Sequence, residues 1–292
     1  MKYFLTVDIG GTDIKYGVIK EDLELVEKGK TETNPHLGAK NIINTIKSLF
    51  NKYSLNYKLD GIAISTTSGI DENTTVVTPS FSIKDYLGLN FREELKDLGV
   101  NVSAENDVNS MGLCENQLVP GHENMQCLIA MTIGTGIGGS IFINNKLFRG
   151  YRFSAGEWGK MLIDGDNNYE EITATSILVK NAMKIDPSLN NGVKVFEAYD
   201  QGNLEVIKIV KEFYKNLARG LANLIYILNP NHIVIGGGIT NRGDKLLEDI
   251  TNELKSLLWD YLAEDLNITL AKKRNDAGMI GAFINYRDTF LK

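Results

Sequence analysis

Cysteine, histidine and proline are scarce in this sequence. It has two cysteines, three histidines and five prolines among 292 residues. Cys114 and Cys127 cannot form a disulfide framework, and such sparse use of cysteine is typical of a reducing cytoplasm. His36, His122 and His232 share no metal-ligand spacing, and none accompanies a nucleophile motif such as G-x-S-x-G. A histidine metal site and a serine hydrolase are therefore not indicated.

Positive charge and long apolar runs are also lacking. The chain has 31 basic and 37 acidic residues, so it does not have the positive field that nucleic-acid binding requires. No apolar stretch approaches the length of a membrane span, and the first residues do not match a signal peptide. The length allows one large domain or two, with sizeable cores. We expect a cytoplasmic α/β protein with no nucleic-acid or membrane partner.

Two glycine turns lie at corresponding positions of the two halves. Residues 3–20 have the pattern of a strand, a glycine turn and a second strand, which indicates a hairpin. The same order returns in residues 127–144, with Gly134 lying 124 positions after Gly10. The repetition predicts two similar domains that face each other across a ligand cleft.

Apolar spacing predicts the other elements. Helices are predicted at 37–53, 91–98, 109–118, 173–183, 193–199, 204–228, 245–262 and 276–290. Strands are predicted at 3–9, 14–20, 60–65, 100–104, 127–132, 140–144, 233–235 and 268–271. A long irregular polar segment is expected to follow the strand at 60–65 and to reach residue 85.

The two hairpin turns are candidate phosphate-binding sites. Glycines let backbone N–H groups approach phosphate oxygens, and the hydroxyls of Thr12 and Thr135 add donors. The alternative for each turn is an ordinary tight hairpin. Residues 134–139 also match G-x-G-x-x-G, but a strand-like segment follows where a dinucleotide site needs a helix, so an NAD-linked enzyme is disfavoured.

Two aspartates lie beside predicted strand ends. Asp8 precedes the first glycine turn, where a carboxylate either holds the Mg²⁺ of a nucleotide or caps the turn. Asp107 follows a predicted strand and precedes the helix that is predicted from residue 109. It is either the N-cap of that helix or a base that accepts a hydroxyl proton, while Asn106 holds neighbouring hydroxyls. The two roles of Asp107 can coexist.

Taken in order, these segments resemble the ROK family of sugar kinases and repressors. The matching motifs are D-I-G-G-T at 8–12, E-N-D-V-N at 105–109, G-T-G-I-G-G at 134–139, A-G-E-W-G-K at 155–160, G-G-G-I at 236–239 and D-A-G-M-I-G-A at 276–282. The resemblance covers nearly the whole chain. It implies an α/β protein of the actin/hexokinase/Hsp70-type (ribonuclease H-like) ATPase fold, with two domains closing on MgATP and a sugar at a central cleft.

The resemblance also implies domain limits and site residues. The domains are residues 1–110, completed by a C-terminal helix at 279–292, and residues 111–278. Asp107 is the general base, and Asp8 binds Mg²⁺ through water. The sugar-binding residues are Gly69, Asn106, Glu157, Lys160 and Glu171. The ATP-binding residues are Asp8, Gly10, Gly11, Thr12, Gly134, Thr135, Gly136, and, on the adenosine side, Gly236, Gly237 and Gly238. Family analogy implies a homodimer.

The chain departs from the family pattern in three respects. Ser68 replaces a proline that commonly precedes Gly69, and Lys160 replaces a histidine that commonly contacts the sugar. No cysteine follows Cys127, so the structural zinc site of the family cannot exist. Lys160 either donates to a sugar hydroxyl, meets a phosphate or acid group on the sugar, or pairs with a nearby carboxylate.

The function expected from the resemblance is ATP-dependent phosphorylation of glucose, a β-glucoside or N-acetylmannosamine. The alternative is a sugar-binding regulator without catalysis. The family's repressors carry an N-terminal DNA-binding domain, and we expect no such segment ahead of residue 3. The presence of Asp107 together with both glycine turns favours the kinase.

Overall fold

The computed structural model describes residues 2–78 and 83–291. The chain forms two compact units. The first consists of Met1–Val119, Arg149–Ser154 and Asn275–Lys292, and the second of Pro120–Phe148 and Ala155–Arg274. The boundary expected between residues 110 and 111 falls inside the helix Asp107–Asn116. This helix belongs to the first unit, where it packs against the helix Ala277–Phe290.

The described residues contain the following strands and α-helices in chain order. The strands are β1 (Tyr3–Ile9), β2 (Asp13–Lys20), β3 (Leu25–Glu32), β4 (Leu59–Thr66), β5 (Ile70–Asp71), β6 (Val76–Val77), β7 (Asn101–Asn106), β8 (Cys127–Ile133), β9 (Ile137–Ile143), β10 (Lys146–Leu147), β11 (Leu162–Asp164), β12 (Asn167–Asn168), β13 (His232–Gly236) and β14 (Ile268–Leu270). The helices are α1 (Ala39–Ser54), α2 (Phe91–Glu94), α3 (Asp107–Asn116), α4 (Tyr169–Thr173), α5 (Thr175–Ile185), α6 (Gly192–Asp200), α7 (Leu204–Leu228), α8 (Asp244–Lys255), α9 (Asp260–Glu264) and α10 (Ala277–Phe290).

The main sheet of the first unit has the order β3-β2-β1-β4-β7. β2 is antiparallel to β1 and β3, whereas β1, β4 and β7 are parallel to one another. Successive side chains of β1 point to opposite faces. Leu5 and Val7 share a buried core with the apolar side of α1, while Phe4 and Thr6 contact α10. Helices therefore cover both faces of β1.

Glycines allow α10 to lie close to its neighbours in the first unit. A Cβ on Gly281 would be 1.6 Å from the carbonyl oxygen of Ser110 in α3. A Cβ on Gly61 of β4 would be 2.1 Å from the hydroxyl oxygen of Tyr286 in α10. A side chain at position 281 would displace the backbone of α3, and one at position 61 would displace the ring of Tyr286. The C-terminal helix is therefore a packed layer of the first unit.

The main sheet of the second unit has the order β10-β9-β8-β13-β14. β8 is antiparallel to β9 and parallel to β13, and β13 is parallel to β14. This is the same arrangement of antiparallel and parallel neighbours as in the first unit, which agrees with the repeat predicted from the sequence. Helix α7 places a buried apolar stripe, with Val210, Leu217 and Leu221, in the core that also contains Ile129 and Met131 of β8.

Several sequence-based elements differ from the structure, most clearly the following two. The helix predicted at 245–262 is wrong as a single element, because α8 ends at Lys255 and α9 begins at Asp260. The amide of Trp259 donates to the hydroxyl oxygen of Tyr226 at 3.0 Å and not to a carbonyl of the preceding turn. The segment expected to be irregular contains the short β5–β6 hairpin, and its residues 79–82 lie outside the described part. Among the described helices, none combines the length and apolar character needed to cross a membrane.

Candidate functional site

In the first unit, three parallel strands end at one edge of the sheet. Asp8 of β1 lies opposite Ser65 of β4, and Ser65 lies opposite Glu105 of β7. This edge, at the carboxyl ends of the strands, is where ligands of open α/β sheets usually bind. The segments that follow the three strands therefore emerge side by side: residues 10–12, 67–69 and 106–107.

Asp8 has a fixed place at this edge. Ser65 Oγ donates to its Oδ1 at 2.7 Å, and Lys15 Nζ lies 3.6 Å from its Oδ2. Gly278, in the first turn of α10, lies against the carboxylate, since a Cβ there would be 2.5 Å from Asp8 Cγ. The N-terminus of a helix favours a negative charge. None of the contacts found for Asp8 among the described residues caps the glycine turn.

The first glycine turn joins β1 to β2. Gly10 N donates to the carbonyl oxygen of Asp13 at 3.0 Å, and Thr33 Oγ1 donates to the Gly10 carbonyl at 2.7 Å. The amide of Gly10 is therefore used inside the turn. Gly11 and Thr12 are exposed, and in the described chain no protein oxygen accepts from their amides. These two N–H groups are the donors that the turn offers to a ligand.

Asn106 and Asp107 begin α3. Asn106 is the N-cap, because its Oδ1 accepts from Val108 N at 2.9 Å and from Asn109 N at 3.1 Å. The interpretation of Asp107 as the N-cap is therefore wrong. Asp107 is the first helical residue, and its Oδ1 accepts from Val108 N at 2.9 Å. The capped first turn of α3 fixes the backbone of Asp107 at the sheet edge.

The structure brings Gly69 next to Asn106. Asn106 Nδ2 donates to the carbonyl oxygen of Ser68 at 3.4 Å. Thr78 N donates to the Gly69 carbonyl at 2.9 Å, and a Cβ on Gly69 would be 2.3 Å from Thr78 Oγ1. Three of the predicted residues, Gly69, Asn106 and Asp107, thus form one cluster in the first unit.

The second unit brings the two other glycine segments together. β8 and β13 are parallel, with Gly236 opposite Thr132, so the residues after both strands emerge at the same edge. Gly237 has a φ of 90°, and a Cβ there would be 2.4 Å from the carbonyl oxygen of Ile133. Only glycine accepts both this backbone conformation and this contact. At Gly238 no heavy atom of the described residues lies within 4 Å of the Cβ position, so the loop is open there.

The second glycine turn, like the first, uses the amide of its first glycine internally, although with a different acceptor. Gly134 N donates to the Gly136 carbonyl at 3.0 Å, so this amide is used inside the turn. Ser176, in the first turn of α5, donates from Oγ to the Thr135 carbonyl at 2.7 Å and from N to the Gly134 carbonyl at 3.3 Å. Within the described residues, no protein oxygen accepts from the amides of Thr135 and Gly136.

The loop with Glu157 packs on strand β9. Gly156 has a φ of 93°, and a Cβ there would be 2.1 Å from the Gly139 carbonyl oxygen. A Cβ on Gly139 would in turn be 2.1 Å from the ring of Trp158. The last glycine of G-T-G-I-G-G therefore accommodates Trp158, and its role is packing. Residues Trp158–Lys160 form a short 3₁₀ helix, so Glu157 precedes a rigid turn.

Lys160 forms an ion pair with Glu170 of α4. This was one of the interpretations left open by the sequence. The hydrogen bond to Glu170 raises the pKa of Lys160, whose side chain remains exposed. A Cβ on Gly136 would be 2.8 Å from Glu170 Oε2, so the carboxylate also touches the glycine turn. Sequence reasoning missed Glu170, and the only signal was its position beside Glu171 in the Y-E-E-I segment.

The other two predicted glutamates have different surroundings. Loss of hydration raises the pKa of Glu157; the charge of Glu170 adds to this effect and the ammonium group of Lys160 opposes it. Glu171 Oε2 accepts from Asn168 N at 3.0 Å, at the start of α4. Glu157, Lys160 and Glu171 are thus carried by neighbouring segments of the second unit, a loop and a helix that the Lys160–Glu170 pair connects.

The described residues contain no group of three or more His, Cys, Asp or Glu side chains arranged to hold a metal ion. A nucleotide-bound Mg²⁺ needs less, because it is usually held by one or two carboxylates together with phosphates and water. The carboxylate of Asp8, beside the exposed amides of Gly11 and Thr12, fits that pattern.

The chain is similar to known proteins in both sequence and structure. The sequence profile of the ROK family matches residues 4–288. A beta-glucoside kinase of Listeria monocytogenes is 32% identical over 290 residues, covering 96% of this chain and 95% of the relative. A solved structure from the same species, named as a candidate N-acetylmannosamine kinase, has a TM-score of 0.88 and 30% identity, with 98% and 99% of the two chains covered. A ROK family glucokinase from Streptomyces griseus, in complex with glucose and AMPPNP, has a TM-score of 0.82 and 25% identity over 96% of this chain and 97% of the other.

These similarities confirm two predictions. The actin/hexokinase-type α/β fold is confirmed, because the solved structures match over nearly the whole chain, including both five-stranded sheets. The family resemblance is confirmed by the profile and by the identity to the beta-glucoside kinase. The chain belongs to the ROK family.

Proposed function

We propose that this protein is an ATP-dependent sugar kinase, which transfers the γ-phosphoryl group of ATP to a hydroxyl group of a hexose or hexose derivative. Its similarity to proteins named beta-glucoside kinase and glucokinase supports a sugar kinase. The complex of the S. griseus glucokinase with glucose and AMPPNP supports ATP as the donor. Within this chain, the proposal depends most on Asp107, which follows the Asn106 cap at the start of α3.

Asp107 acts as the general base of the transfer. A bond forms between the sugar oxygen and the γ-phosphorus while the bond from that phosphorus to the β,γ-bridging oxygen breaks, and ADP leaves. The proton of the sugar hydroxyl goes to the Asp107 carboxylate. A positioned base of this kind contributes about 10²- to 10⁴-fold to a rate. The amide of Val108 donates to Asp107 Oδ1 at 2.9 Å, so the direction of this carboxylate is set before the sugar binds.

The predicted sugar-binding residues offer hydroxyl-binding groups within each unit. In the first, Asn106 Nδ2 can exchange its long 3.4 Å bond to the Ser68 carbonyl for a sugar hydroxyl, and Gly69 leaves room beside it. In the second, Glu157 accepts from sugar hydroxyls. Glu171 uses Oε2 for the backbone and presents Oε1 to the sugar. Lys160 donates from an ammonium group whose direction is set by Glu170.

ATP is bound by the glycine segments. The amides of Gly11, Thr12, Thr135 and Gly136 donate to phosphate oxygens, while Gly10 and Gly134 close the turns. Gly236, Gly237 and Gly238 let the adenosine approach the backbone at the end of β13. Asp8 would hold Mg²⁺, which would supply neutralisation of phosphate charge when bound.

The proposal is tested by measuring ADP release with MgATP over a panel of sugars. The panel contains glucose, mannose, N-acetylmannosamine, N-acetylglucosamine, fructose and cellobiose. The Asp107→Asn variant removes the base with little change of shape, and we expect its kcat to fall at least about 10³-fold. Asp97→Asn is the matched control, because Asp97 is an exposed carboxylate of the same unit that pairs with Lys47.

The outcomes separate the two functions that the sequence left open. Turnover of one sugar that is lost in Asp107→Asn and kept in Asp97→Asn supports the kinase and identifies its substrate. A folded Asp107→Asn protein with unchanged kcat contradicts the role of the base. Calorimetric binding of a sugar by the wild-type protein, without transfer from ATP to any member of the panel, supports the regulator instead.

A further inference from the structure

Arg149 lies at the centre of a buried polar cluster in the first unit. Its Nε donates to Glu105 Oε2 at 2.7 Å, and its Nη2 donates to Asn285 Oδ1 at 3.0 Å. Its Nη1 lies 2.6 Å from Glu72 Oε2. The Glu105 side chain is only 1% exposed, and that of Arg149 is 16% exposed. Three different elements, β7, α10 and the β5–β6 hairpin, thus contact one guanidinium group.

Glu105 connects this cluster to the residues that we assign to the acceptor. Its Oε2 is bound by Arg149, while its Oε1 accepts from Asn106 N at 2.8 Å and from Asn109 Nδ2 at 2.9 Å. The backbone of Asn106 is therefore held by a carboxylate that Arg149 itself holds. Asp107 follows directly, so its position depends on the same carboxylate.

Glu72 connects the cluster to the other side of the acceptor residues. It lies at the tip of the β5–β6 hairpin, and Gly69 directly precedes β5. Loss of hydration raises the pKa of Glu72, the guanidinium of Arg149 opposes this effect, and Glu105 adds to it. The carboxylate of Glu72 is therefore partly withdrawn from water at its contact with Arg149.

Stability alone does not account for such a cluster. Replacing a buried ion pair by apolar side chains is often neutral or stabilising, because taking charges out of water is costly. What a planar guanidinium supplies is direction, since its N–H groups point at several acceptors in fixed geometry. Here the acceptors are Glu72, Glu105 and Asn285, and two of them flank the predicted sugar-binding residues.

We propose that Arg149 is a positioning residue for the sugar, acting through Glu105 on Asn106 and Asp107 and through Glu72 on the segment that contains Gly69. The inference rests on the proposed sugar kinase function and adds to it a residue outside every motif of the sequence. Arg149 belongs to Arg149–Ser154, a short segment that the chain contributes to the first unit between two parts of the second. Sugar recognition therefore depends on how this segment is seated in the first unit.

The test compares Arg149→Met and Arg149→Lys with the wild-type protein. Arg149→Met keeps much of the side-chain volume and removes every donor, so we expect the KM for the sugar to rise at least about tenfold and kcat to fall. The KM for MgATP should stay within about threefold, because no predicted ATP-binding group contacts the cluster in the described residues. Arg149→Lys retains the charge, and we expect it to restore part of the affinity for the sugar.

Arg92→Met is the matched control. Arg92 Nη1 donates to the carbonyl oxygen of Asn73 at 2.9 Å, so Arg92 contacts the same hairpin tip as Arg149 does. It has no contact with Glu105 in the described chain. We expect Arg92→Met to lower the melting temperature slightly and to leave both KM values unchanged. If Arg149→Met and Arg92→Met have the same effect, or if Arg149→Met changes only the melting temperature, the inference is overturned.

Hydrogen exchange distinguishes a failure of this inference from a failure of the proposed function. We expect the amides of residues 106–109 to exchange faster in Arg149→Met than in the wild-type protein, in the absence of any sugar or ATP. Faster exchange in a protein that phosphorylates no sugar supports the positioning role and removes the kinase assignment. Unchanged exchange and unchanged KM for the sugar, in an active kinase, overturn the positioning role alone.

Discussion

Gly278 of α10 provides a way to move Asp8 without changing it. In Gly278→Ala, the new Cβ would lie 2.5 Å from Asp8 Cγ and 2.6 and 2.7 Å from its two oxygens. Carbon atoms approach each other favourably only at about 3.5 Å or more, so the carboxylate has to shift by roughly 1 Å. The shift breaks the 2.7 Å hydrogen bond that Ser65 donates.

Two opposing terms set the effect of this substitution on stability. Alanine in place of glycine favours a helix by about 1 kcal/mol. The lost hydrogen bond to a charged group costs about 1.5–3 kcal/mol. The free energy of unfolding should therefore fall by only about 0.5–2 kcal/mol, and the protein should stay folded. Activity should suffer more, because a displacement of about 1 Å in a positioned group can cost about 100-fold in rate.

The assay is a double-mutant cycle between Gly278→Ala and Asp8→Ala. We expect kcat/KM for MgATP to fall about 100-fold in Gly278→Ala. In the Asp8→Ala background, where the clashing atoms are gone, the same substitution should leave activity unchanged and should stabilise the helix by about 0.5–1 kcal/mol. Gly281→Ala is the contrast, because its Cβ would clash with Ser110 in α3 and not with Asp8. Activity of Gly278→Ala within about threefold of the wild-type value would refute the placement of Asp8 in the nucleotide site.

Three further predictions concern the second unit. Lys160→Met and Glu170→Gln should each raise the KM for the sugar in steady-state kinetics. If the two residues act as a pair, the KM of the double variant should not exceed the higher KM of the two single variants. Gly237→Ala should lower the melting temperature and raise the KM for ATP, because its Cβ would be 2.4 Å from a backbone oxygen at a φ of 90°; full stability would contradict the contact. Burial lowers the pKa of His232, so the folded state binds this proton less readily than the unfolded state does. Stability should therefore fall as the pH drops below about 6.5, with a slope of at most about 1.4 kcal/mol per pH unit, and chemical denaturation of His232→Gln at pH 7.5 and 5.5 should show a smaller change than the wild type.

The sequence was informative where the structural cause is local. An apolar strand that runs into Gly10 or Gly134 is a hairpin whose geometry depends on a few adjacent residues. The start of α3 was placed two residues late, because the cap is Asn106, which was predicted to bind the sugar. Asp107, interpreted as a possible cap ahead of the helix, is its first residue, so the sequence located this strand-to-helix junction to within two residues.

The sequence was uninformative where the cause is distant. Arg149 contacts Glu105, which is 44 positions away, and Asn285, which is 136 positions away. No periodicity or motif connects residues so far apart. The break between α8 and α9 also has a distant cause. The apolar pattern continues through residues 257–259, but the amide of Trp259 donates to the hydroxyl oxygen of Tyr226, 33 positions earlier. The ion pair of Lys160 was one of several open possibilities, and only the structure identifies Glu170 as its partner.

The position of α10 in the first unit has a consequence for synthesis on the ribosome. β1 is translated long before α10, yet Thr6 donates to the carbonyl oxygen of Met279, 273 residues later. All residues of the second unit, up to Arg274, are translated before α10 follows. Phe4 and Gly61 of the nascent first unit therefore stay uncovered, exposed to chaperones and to premature association, until α10 has left the ribosome. A nonsense codon near residue 277 would thus unfold the beginning of the protein and spare its middle.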